Sequence, residues 1–362
     1  MESPDEPTAR PAGGTAIIIE PRRHAALPFV IDNVAGCVPA AWRVVVFHGL
    51  DNGGFARGAI AQSPHRARIS AVELPAANLT IPMYNAVFGA RAFYDLIPTD
   101  RFLVFQTDSM MFPEHAAGLP DFLDYDYVGA PWEACNGGGV GNGGFSLRRK
   151  GPALAALARC AYNVQSNEDG FFAAASPKKP PAELAGAFSF EAIYSPKSIG
   201  CHGPWKYIPH DLLYGTYPAL QELAALQRVV DGPAPSSADT LSPGRAGFDA
   251  AAAEVGADVA MLLAMGARGS AGARCAGRGA GAVAYGLGAP LVDGPAPLLV
   301  CDRAPAAADV TPLTDKIIIM GPPRQGLGAA LGAALAALPE WRPVQVTVGL
   351  SSCSLVVLTR LP

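Results

Sequence analysis

The stretch RFLVFQTDS, Arg101–Ser109, decides the fold class of this chain. Its first six residues form a short, mostly apolar run, which is typical of a strand buried within a sheet. A carboxylate, Asp108, follows directly after that run. Because ligands bind outside the carboxyl ends of the strands in open α/β sheets, we expect Asp108 to face a ligand crevice.

The residues before this stretch alternate between strand and helix patterns. Apolar, β-branched runs predict strands over Ala16–Ile19, Trp42–Phe47 and Ile69–Leu74, and helical spacing predicts helices over Pro28–Val38 and Tyr84–Ile97. This alternation predicts an α/β domain with a mixed, mostly parallel sheet flanked by helices.

Bulk composition excludes some classes of function. The chain has 362 residues, a length that favours two domains, and half of its residues are apolar. Its net charge of −4 does not indicate the basic surface that binds nucleic acid. A few Arg or Lys residues can still bind a phosphate locally. The seven cysteines form no C-x-x-C pair, so free thiols in a reducing compartment are expected.

The first fifteen residues are polar and Pro-rich, without the apolar segment of a signal peptide. The Ala/Gly-rich segment Gly326–Leu338 is too short to span a membrane. We therefore expect a cytoplasmic protein with no membrane span.

Shifts in composition divide the chain into four segments. Residues 1–14 are expected to be a disordered leader, and residues 15–220 the α/β domain. Residues 221–310 are rich in Pro, Ser, Ala and Gly and are expected to form a linker or irregular region, with one possible helix over 250–265. Residues 311–362 are a possible truncated βαβ repeat of the N-terminal unit.

The repeat hypothesis depends on a similarity between two segments of the chain. Ile317–Ile319 is followed by Trp341-Arg342 and Gly349, as Ile17–Ile19 is followed by Trp42-Arg43 and Gly49, and the distance from the first Ile to the Gly is the same in both. The alternative is a chance similarity between two buried βαβ starts. The second copy lacks the motifs described next, so we expect it to have no catalytic activity of its own.

Four short motifs occur in order within residues 102–206. They are FQTDS at 105–109, VGNGGFSLR at 140–148, NEDGFF at 167–172 and CHGPW at 201–205. Together with FLDYDYVGAPW at 122–132, FSFE at 188–191, IIIEPRRH at 17–24 and MYN at 83–85, they resemble a family of uncharacterised GT-A-like glycosyltransferases. The resemblance covers about residues 15–210.

This resemblance implies a GT-A-like domain that binds a nucleotide-sugar donor with a divalent metal. Mn²⁺ and Mg²⁺ prefer carboxylate oxygen, water and phosphate as ligands, and imidazole also suits Mn²⁺. Asp108 and His202 are therefore the expected metal ligands. GT-A enzymes usually carry D-x-D at this strand end, whereas this chain has a single carboxylate followed by Ser109. The alternatives are a strand-end turn for Asp108 and a hydrogen-bonded surface imidazole for His202.

The acidic pair Glu168-Asp169 is the expected catalytic group. A carboxylate takes the proton of an acceptor hydroxyl well when burial raises its pKa towards neutrality. The resemblance makes Asp169 the preferred base and leaves Glu168 to bind the acceptor or to support the structure. Alternatively, Asn167 and the two acids are an ordinary helix start, and both interpretations can hold together.

The glycine loop Gly141–Gly144 lets backbone approach a ligand closely, and Asn142 offers a donor and an acceptor. We expect Asn142, Gly143 and Gly144 to line the donor or acceptor pocket, with Asn136–Gly139 as a mobile lid. The alternative is a tight turn that requires positive φ. Gln106 is assigned to the donor by its motif.

Two further groups complete the expected site. Glu20 and Arg22 follow the first strand, where nucleotides are contacted in this architecture; the alternative is a solvated turn. Trp132 and Trp205 suit stacking on sugar faces, although core packing explains them equally well. The FSFE motif adds Glu191 to the acceptor side. Asp124 and Asp126 have D-x-D spacing, but alternation in DYDYVGAPW favours a structural role.

The expected function is therefore a glycosyltransferase that moves a sugar from a nucleotide-activated donor to a hydroxyl of a carbohydrate or glycan acceptor. One alternative is a catalytically inactive nucleotide-sugar- or carbohydrate-binding protein. Another is a different phosphoryl- or nucleotidyl-handling enzyme, since these use similar carboxylate–metal sites.

Overall fold

The computed structural model describes residues 13–133 and 139–229, Met261, Leu338 and five strands in the C-terminal part. The expected leader, apart from Gly13 and Gly14, lies outside the described residues. So do the Pro/Ser/Gly linker after Asp231, the Asn136–Gly138 part of the lid and, apart from Met261, the helix expected over 250–265.

A six-stranded sheet forms the core of the N-terminal part, in the order β3-β2-β1-β4-β7-β6. The first four strands in this order are parallel, and β7 runs antiparallel to both of its neighbours. The fold is therefore a mixed α/β fold with a mostly parallel sheet, as the sequence predicts. The strands are β1 Thr15–Ile19, β2 Arg43–His48, β3 Ile69–Glu73, β4 Arg101–Phe105, β6 Tyr127–Val128 and β7 Phe145–Arg149.

Helices cover both faces of this sheet. They are α1 Leu27–Cys37, α2 Gly53–Gln62, α3 Ile81–Gly89, α4 Arg91–Asp95, α5 Lys150–Arg159, α6 Glu168–Ala175, α7 Ala182–Phe188, α8 His210–Thr216 and α9 Leu220–Leu226. Successive strand residues point to opposite faces. Accordingly, Ile17 packs in one buried cluster with α3 to α6, whereas Ile18 packs in another with α1, α8 and α9. Burial on both faces explains why the strands are continuously apolar.

The helix predicted over Tyr84–Ile97 is interrupted in the structure. Ala90 adopts an extended conformation that ends α3 and precedes α4. The Tyr94 hydroxyl donates to the carbonyl oxygen of Phe88 at 2.9 Å and so satisfies a group that a helix end leaves open. The break allows Phe88, Phe93 and Tyr94 to be buried together, which a uniform helical spacing does not predict.

A second, small sheet sets the position of the site. Its order is β5-β9-β8, with β5 Ser109–Met111, β8 Ser189–Phe190 and β9 Gly200–His202. In its register Ser109 lies opposite His202. The pairing therefore brings the end of the FQTDS motif beside the CHGPW motif.

The C-terminal part contains a five-stranded sheet in the order β10-β11-β12-β14-β13. The strands are β10 Ala273–Ala276, β11 Leu298–Cys301, β12 Lys316–Gly321, β13 Trp341–Thr347 and β14 Ser354–Arg360. Two of them, β10 and β11, lie within the segment that the sequence marks as irregular. The sequence analysis missed them because strands of four residues are too short to show a clear period.

The strands of the expected repeat do not pair as their N-terminal counterparts do. β1 and β2 are adjacent and parallel, whereas β12 and β13 are each antiparallel to β14, which lies between them. The repeat stays a prediction. No helix in the described part of the chain is long and apolar enough to cross a membrane.

Candidate functional site

A cavity of about 470 Å³ opens at the carboxyl ends of β1 and β4. The chain proceeds from β1 outwards to β2 and β3, and then returns to place β4 on the other side of β1. Such a switch point leaves a crevice where ligands bind in open α/β sheets. The residues that line the cavity are Ile19–Arg22, Asn78–Ile81, Tyr84, Asn85, Gln106, Thr107, Asn142–Gly144, Asn167–Asp169 and His202.

The residues that follow β4 form hydrogen bonds to three other parts of the site. The amide nitrogen of Gln106 donates to the Tyr84 hydroxyl at 3.0 Å, and its amide oxygen lies 3.1 Å from Nε2 of His202. The Ser109 hydroxyl donates to the carbonyl oxygen of Gly144 at 2.8 Å. The strand end is therefore bonded to α3, to the glycine loop and to β9.

The glycine loop lies against side chains of two other motifs. A Cβ added to Gly144 would come within 2.2 Å of the His202 ring, and one added to Gly143 within 2.7 Å of the Asp169 Cβ. In the described part of the chain positive φ occurs at Gly139 and Gly203, so positive φ is not why Gly143 and Gly144 are glycine. Close approach is the reason, and it joins the motifs physically.

The two acids of the NED motif have different environments. Glu168 is buried, and its carboxylate accepts hydrogen bonds from both terminal nitrogens of Arg148, at 2.5 and 2.9 Å. Asp169 is only partly buried and lines the cavity. One of its oxygens accepts from the backbone N–H of Gly143 at 3.1 Å. Asp169 is therefore oriented, and among residues 13–133 and 139–229 no cation forms an ion pair with it.

The helix start that the sequence offered as an alternative is also present. α6 begins at Glu168, after Asn167 at the N-cap position, although the Asn167 side chain makes no capping hydrogen bond. The backbone N–H of Glu168 donates instead to the Asn85 side chain at 3.2 Å. Asn85 thus fixes the start of α6 from α3, a role that the sequence analysis did not assign.

Arg148 is the central residue that sequence reasoning missed. Its side chain is 2% exposed and lies over the rings of Phe88 and Tyr127, with ring centroids 4.8 and 5.0 Å from its guanidinium carbon. It also contacts the Gly143 carbonyl oxygen at 3.3 Å. The sequence does show an arginine inside the apolar strand β7. Because a buried charge requires a partner, that position could have been recognised as part of an ion pair.

Burial disfavours the charged forms of this pair, and the Coulomb interaction opposes burial. Burial lowers the pKa of Arg148, but the carboxylate of Glu168 outweighs that effect and the net pKa is raised. For Glu168, burial raises the pKa against the lowering effect of Arg148. The two charges depend on each other, so Glu168 is not free to act as an independent base.

A second polar cluster surrounds His202. Its Nε2 lies 3.2 Å from an oxygen of Asp108, and its Nδ1 lies 2.9 Å from an oxygen of Glu191. The other Asp108 oxygen accepts from the Lys206 ammonium at 2.7 Å. The amide nitrogen of Asn142 also lies 3.1 Å from Nδ1. The Asn142 amide nitrogen can only donate to Nδ1, whereas the Glu191 carboxylate can only accept from it.

These contacts shift the ionisation of the cluster strongly. Burial by itself lowers the pKa of His202, but Asp108 and Glu191 raise it to about 9. Burial opposes ionisation of Asp108, and the charges of His202 and Lys206 outweigh it and hold its pKa well below the usual range. The two carboxylates thus favour the protonated form of the ring.

The groups expected to bind a metal are already in contact with one another and with Lys206. Each ring nitrogen of His202 lies beside a carboxylate, one oxygen of Asp108 lies beside the ring, and the other accepts from the Lys206 ammonium. Within the described part of the chain no three His, Cys, Asp or Glu residues are arranged to hold a metal ion. Metal binding at Asp108 and His202 stays a prediction.

Glu20 and Arg22 line the cavity from the end of β1. The guanidinium of Arg22 donates to Glu20 through two nitrogens, at 2.8 and 2.7 Å, while its side chain is 58% exposed. The hydrogen bond from Glu20 raises the pKa of Arg22 against burial, and Asp108 adds to the effect. Arg22 is therefore fixed in direction and accessible to an anion.

The expected acceptor residues lie outside the described lining of the cavity. The Trp132 ring packs on Gly141, where an added Cβ would approach it within 2.1 Å, and Trp205 packs against the buried cluster that contains α8 and α9. Glu191 reaches the cavity only through His202. Asp126 accepts from the backbone N–H of Lys178 at 3.2 Å, a structural contact of the expected kind.

The comparisons with known proteins are distant. A family described as "Protein of unknown function (DUF5672)" matches residues 68–202. That range holds the expected residues from Gln106 to His202 and leaves out Glu20, Arg22 and Trp205. No curated protein matches the sequence.

Three solved structures are similar to parts of the chain. The glycosyltransferase GlyE in Streptococcus pneumoniae TIGR4 matches with 10% identity and a TM-score of 0.37, over 61% of this chain and 65% of that chain. S. aureus TarS 1-349 matches with 8% identity and a TM-score of 0.36, over 70% and 71%. HddC from Yersinia pseudotuberculosis matches with 10% identity and a TM-score of 0.28, over 38% and 78%.

Proposed function

We propose that this protein transfers a glycosyl group from a nucleotide-activated sugar to a hydroxyl of a carbohydrate acceptor. The observation that carries the proposal is the cavity at the β1/β4 switch point, where an oriented, unneutralised carboxylate, Asp169, faces residues of β1 and β4. Its volume of about 470 Å³ suits a small-molecule ligand.

In this proposal Asp169 is the general base. The acceptor oxygen forms a bond to the anomeric carbon, and its proton passes to the Asp169 carboxylate. The bond between the anomeric carbon and the phosphate oxygen breaks, and the electron pair leaves with the nucleoside diphosphate. The hydrogen bond from the Gly143 N–H fixes the direction of the carboxylate, which a proton transfer requires.

The remaining cavity residues suit the donor. Arg22 offers an accessible guanidinium at the end of β1, where it can pair with a phosphate. Gln106 and Asn142 line the cavity and offer amides for sugar hydroxyls. No step of this mechanism passes through a metal ion.

A turnover assay tests the proposal. The protein is incubated with UDP-, GDP-, ADP-, CDP- and dTDP-sugars and a panel of simple saccharides, once with Mn²⁺ and once with a chelator. Release of nucleoside diphosphate is measured. We expect release from at least one donor and its loss in Asp169→Asn, whereas Asp211→Asn, a change at an exposed position on α8, leaves it unaltered.

The product identifies the class of reaction. Nucleoside diphosphate supports glycosyl transfer, whereas nucleoside monophosphate or pyrophosphate indicates another nucleotide-handling enzyme and contradicts the proposal. Saturable donor binding without turnover under any condition supports the catalytically inactive binding protein instead. Release that persists in Asp169→Asn contradicts the assignment of the base.

A further inference from the structure

A lysine occupies the place beside Asp108 where the sequence leads one to expect a metal ion. The Lys206 ammonium donates to one Asp108 oxygen at 2.7 Å, and His202 Nε2 lies 3.2 Å from the other. Both oxygens of the carboxylate therefore face cationic donors. An ammonium is a compact point charge, as a metal ion is.

The backbone around Gly203 directs Lys206 onto this carboxylate. Gly203 has φ of +51°, its N–H donates to the carbonyl oxygen of Asp108 at 2.7 Å, and its own carbonyl accepts from the Lys206 N–H at 3.2 Å. A Cβ added to Gly203 would come within 2.9 Å of the ammonium and 3.0 Å of an Asp108 oxygen. Glycine at this position is thus needed both for the turn and for the ion pair.

The second ring nitrogen of His202 ties the same arrangement to Glu191. Nδ1 lies 2.9 Å from an oxygen of Glu191, so a carboxylate flanks the ring on each side. A metal ion at Asp108 would have to displace the Lys206 ammonium from a carboxylate oxygen that it already contacts. This ion pair lies next to His202, which forms part of the cavity wall.

We propose that Lys206 is the resident cation of Asp108 and supplies the positive charge that meets the diphosphate of the donor in place of a divalent metal ion. The identity of the ligand as a diphosphate rests on the proposed function; the competition between Lys206 and a metal for Asp108 does not. A negatively charged ligand recruits the half-exposed ammonium, while Asp108 keeps it near His202, which lines the cavity.

The first test uses Mn²⁺ alone as the probe, titrated by calorimetry. We expect the wild-type protein to show no binding that depends on Asp108. Lys206→Met empties the cation position, and we expect it to gain saturable Mn²⁺ binding that disappears in Lys206→Met/Asp108→Asn. Lys197→Met is the matched control, because Lys197 is an exposed lysine outside the cluster. Melting curves check that each variant folds.

The second test measures the affinity for UDP, GDP and ADP in the presence of a chelator. Losing one charge-assisted hydrogen bond is expected to weaken the best of these ligands about 10- to 100-fold in Lys206→Met. Lys206→Arg keeps the charge and is expected to retain most of the affinity. Lys197→Met is expected to bind as the wild type does.

The outcomes separate this inference from the proposed function. Asp108-dependent Mn²⁺ binding by the wild type, as tight as in Lys206→Met, overturns the inference. So does a Lys206→Met variant that neither gains Mn²⁺ binding nor loses diphosphate affinity. If no nucleoside diphosphate binds any variant, the proposed function fails, and the Mn²⁺ titration alone then decides whether Lys206 is the resident cation.

Discussion

Two polar clusters lie beside the same cavity and differ in how far their charged groups are buried. The Arg148–Glu168 pair is closed: the rings of Phe88, Tyr127 and Phe172 surround the guanidinium, and both partners are buried. The cluster of Asp108, His202, Lys206 and Glu191 is open, with its lysine half exposed. We infer that the closed pair serves structure and the open cluster serves binding.

The physical reason for the difference is the availability of each charge. In the closed pair every charge is used by its partner, and removing one partner would leave the other stranded in a medium that solvates it poorly. In the open cluster the lysine side chain is half exposed, so solvent reaches the ammonium and Asp108 does not enclose its charge. The following changes test this comparison.

The largest expected effect is on turnover, and it distinguishes the neighbouring acids Glu168, which is buried in the closed pair, and Asp169, which lines the cavity. Asp169→Asn keeps the shape of the side chain but removes its basicity, so turnover is expected to fall by about 10²–10⁴-fold while donor affinity and the melting temperature change little. Steady-state kinetics and donor titration measure this split.

Glu168→Gln is the corresponding change in the closed pair, to be compared with Asp169→Asn. It leaves Arg148 with a neutral partner, so we expect the melting temperature to fall, and any loss of turnover to follow the loss of folded protein. Normal turnover in Asp169→Asn, together with inactive but stable Glu168→Gln, would reverse the two roles.

Breaking the closed pair is expected to have the largest effect on stability. Arg148→Met strands the Glu168 carboxylate among aromatic rings, which should lower the free energy of unfolding by about 3–5 kcal/mol. Urea denaturation measures the loss. The double variant Arg148→Met/Glu168→Met removes both charges and should lose less than Arg148→Met alone. A double variant that loses the sum of the two single changes would mean that the pair is not coupled.

The glycine loop between the clusters gives a smaller effect. Gly144→Ala places a methyl group against the His202 ring, and overpacking of this kind is expected to cost about 1–3 kcal/mol of unfolding free energy. Gly186→Ala is the control, because no heavy atom lies within 4 Å of the added carbon in helix α7. That change should stabilise by about 0.5–1 kcal/mol. Equal effects at both positions would contradict close packing at Gly144.

The smallest effect is expected at the neighbouring arginine, Arg149. Its Nε donates to Asp100 at 2.9 Å, but both side chains are more than a third exposed, at 36% and 43%. Asp100→Asn should therefore change the free energy of unfolding by less than about 1 kcal/mol. A loss as large as that of Arg148→Met would show that exposure does not separate the two pairs.

The sequence predicted the fold well where its signal is local. The strands over residues 16–19, 42–47, 69–74 and 101–106 occur within one or two residues of their expected bounds. Apolar runs of β-branched residues encode a strand buried on both faces without help from distant residues. The division of the helix at Ala90 depends instead on how Phe93 and Tyr94 pack, so the helical spacing did not reveal it.

For the candidate site, the sequence by itself determined which motifs carry polar groups and that Asp108 ends a central strand. The tertiary structure decided which charges are free. Arg148 uses the charge of Glu168 across 20 residues of chain, and Lys206 reaches Asp108 across 98. The second pairing depends on the register of the small sheet and on the turn at Gly203, and no local pattern encodes either pairing. The sequence therefore named the candidate groups, and packing alone determined what each of them is bonded to.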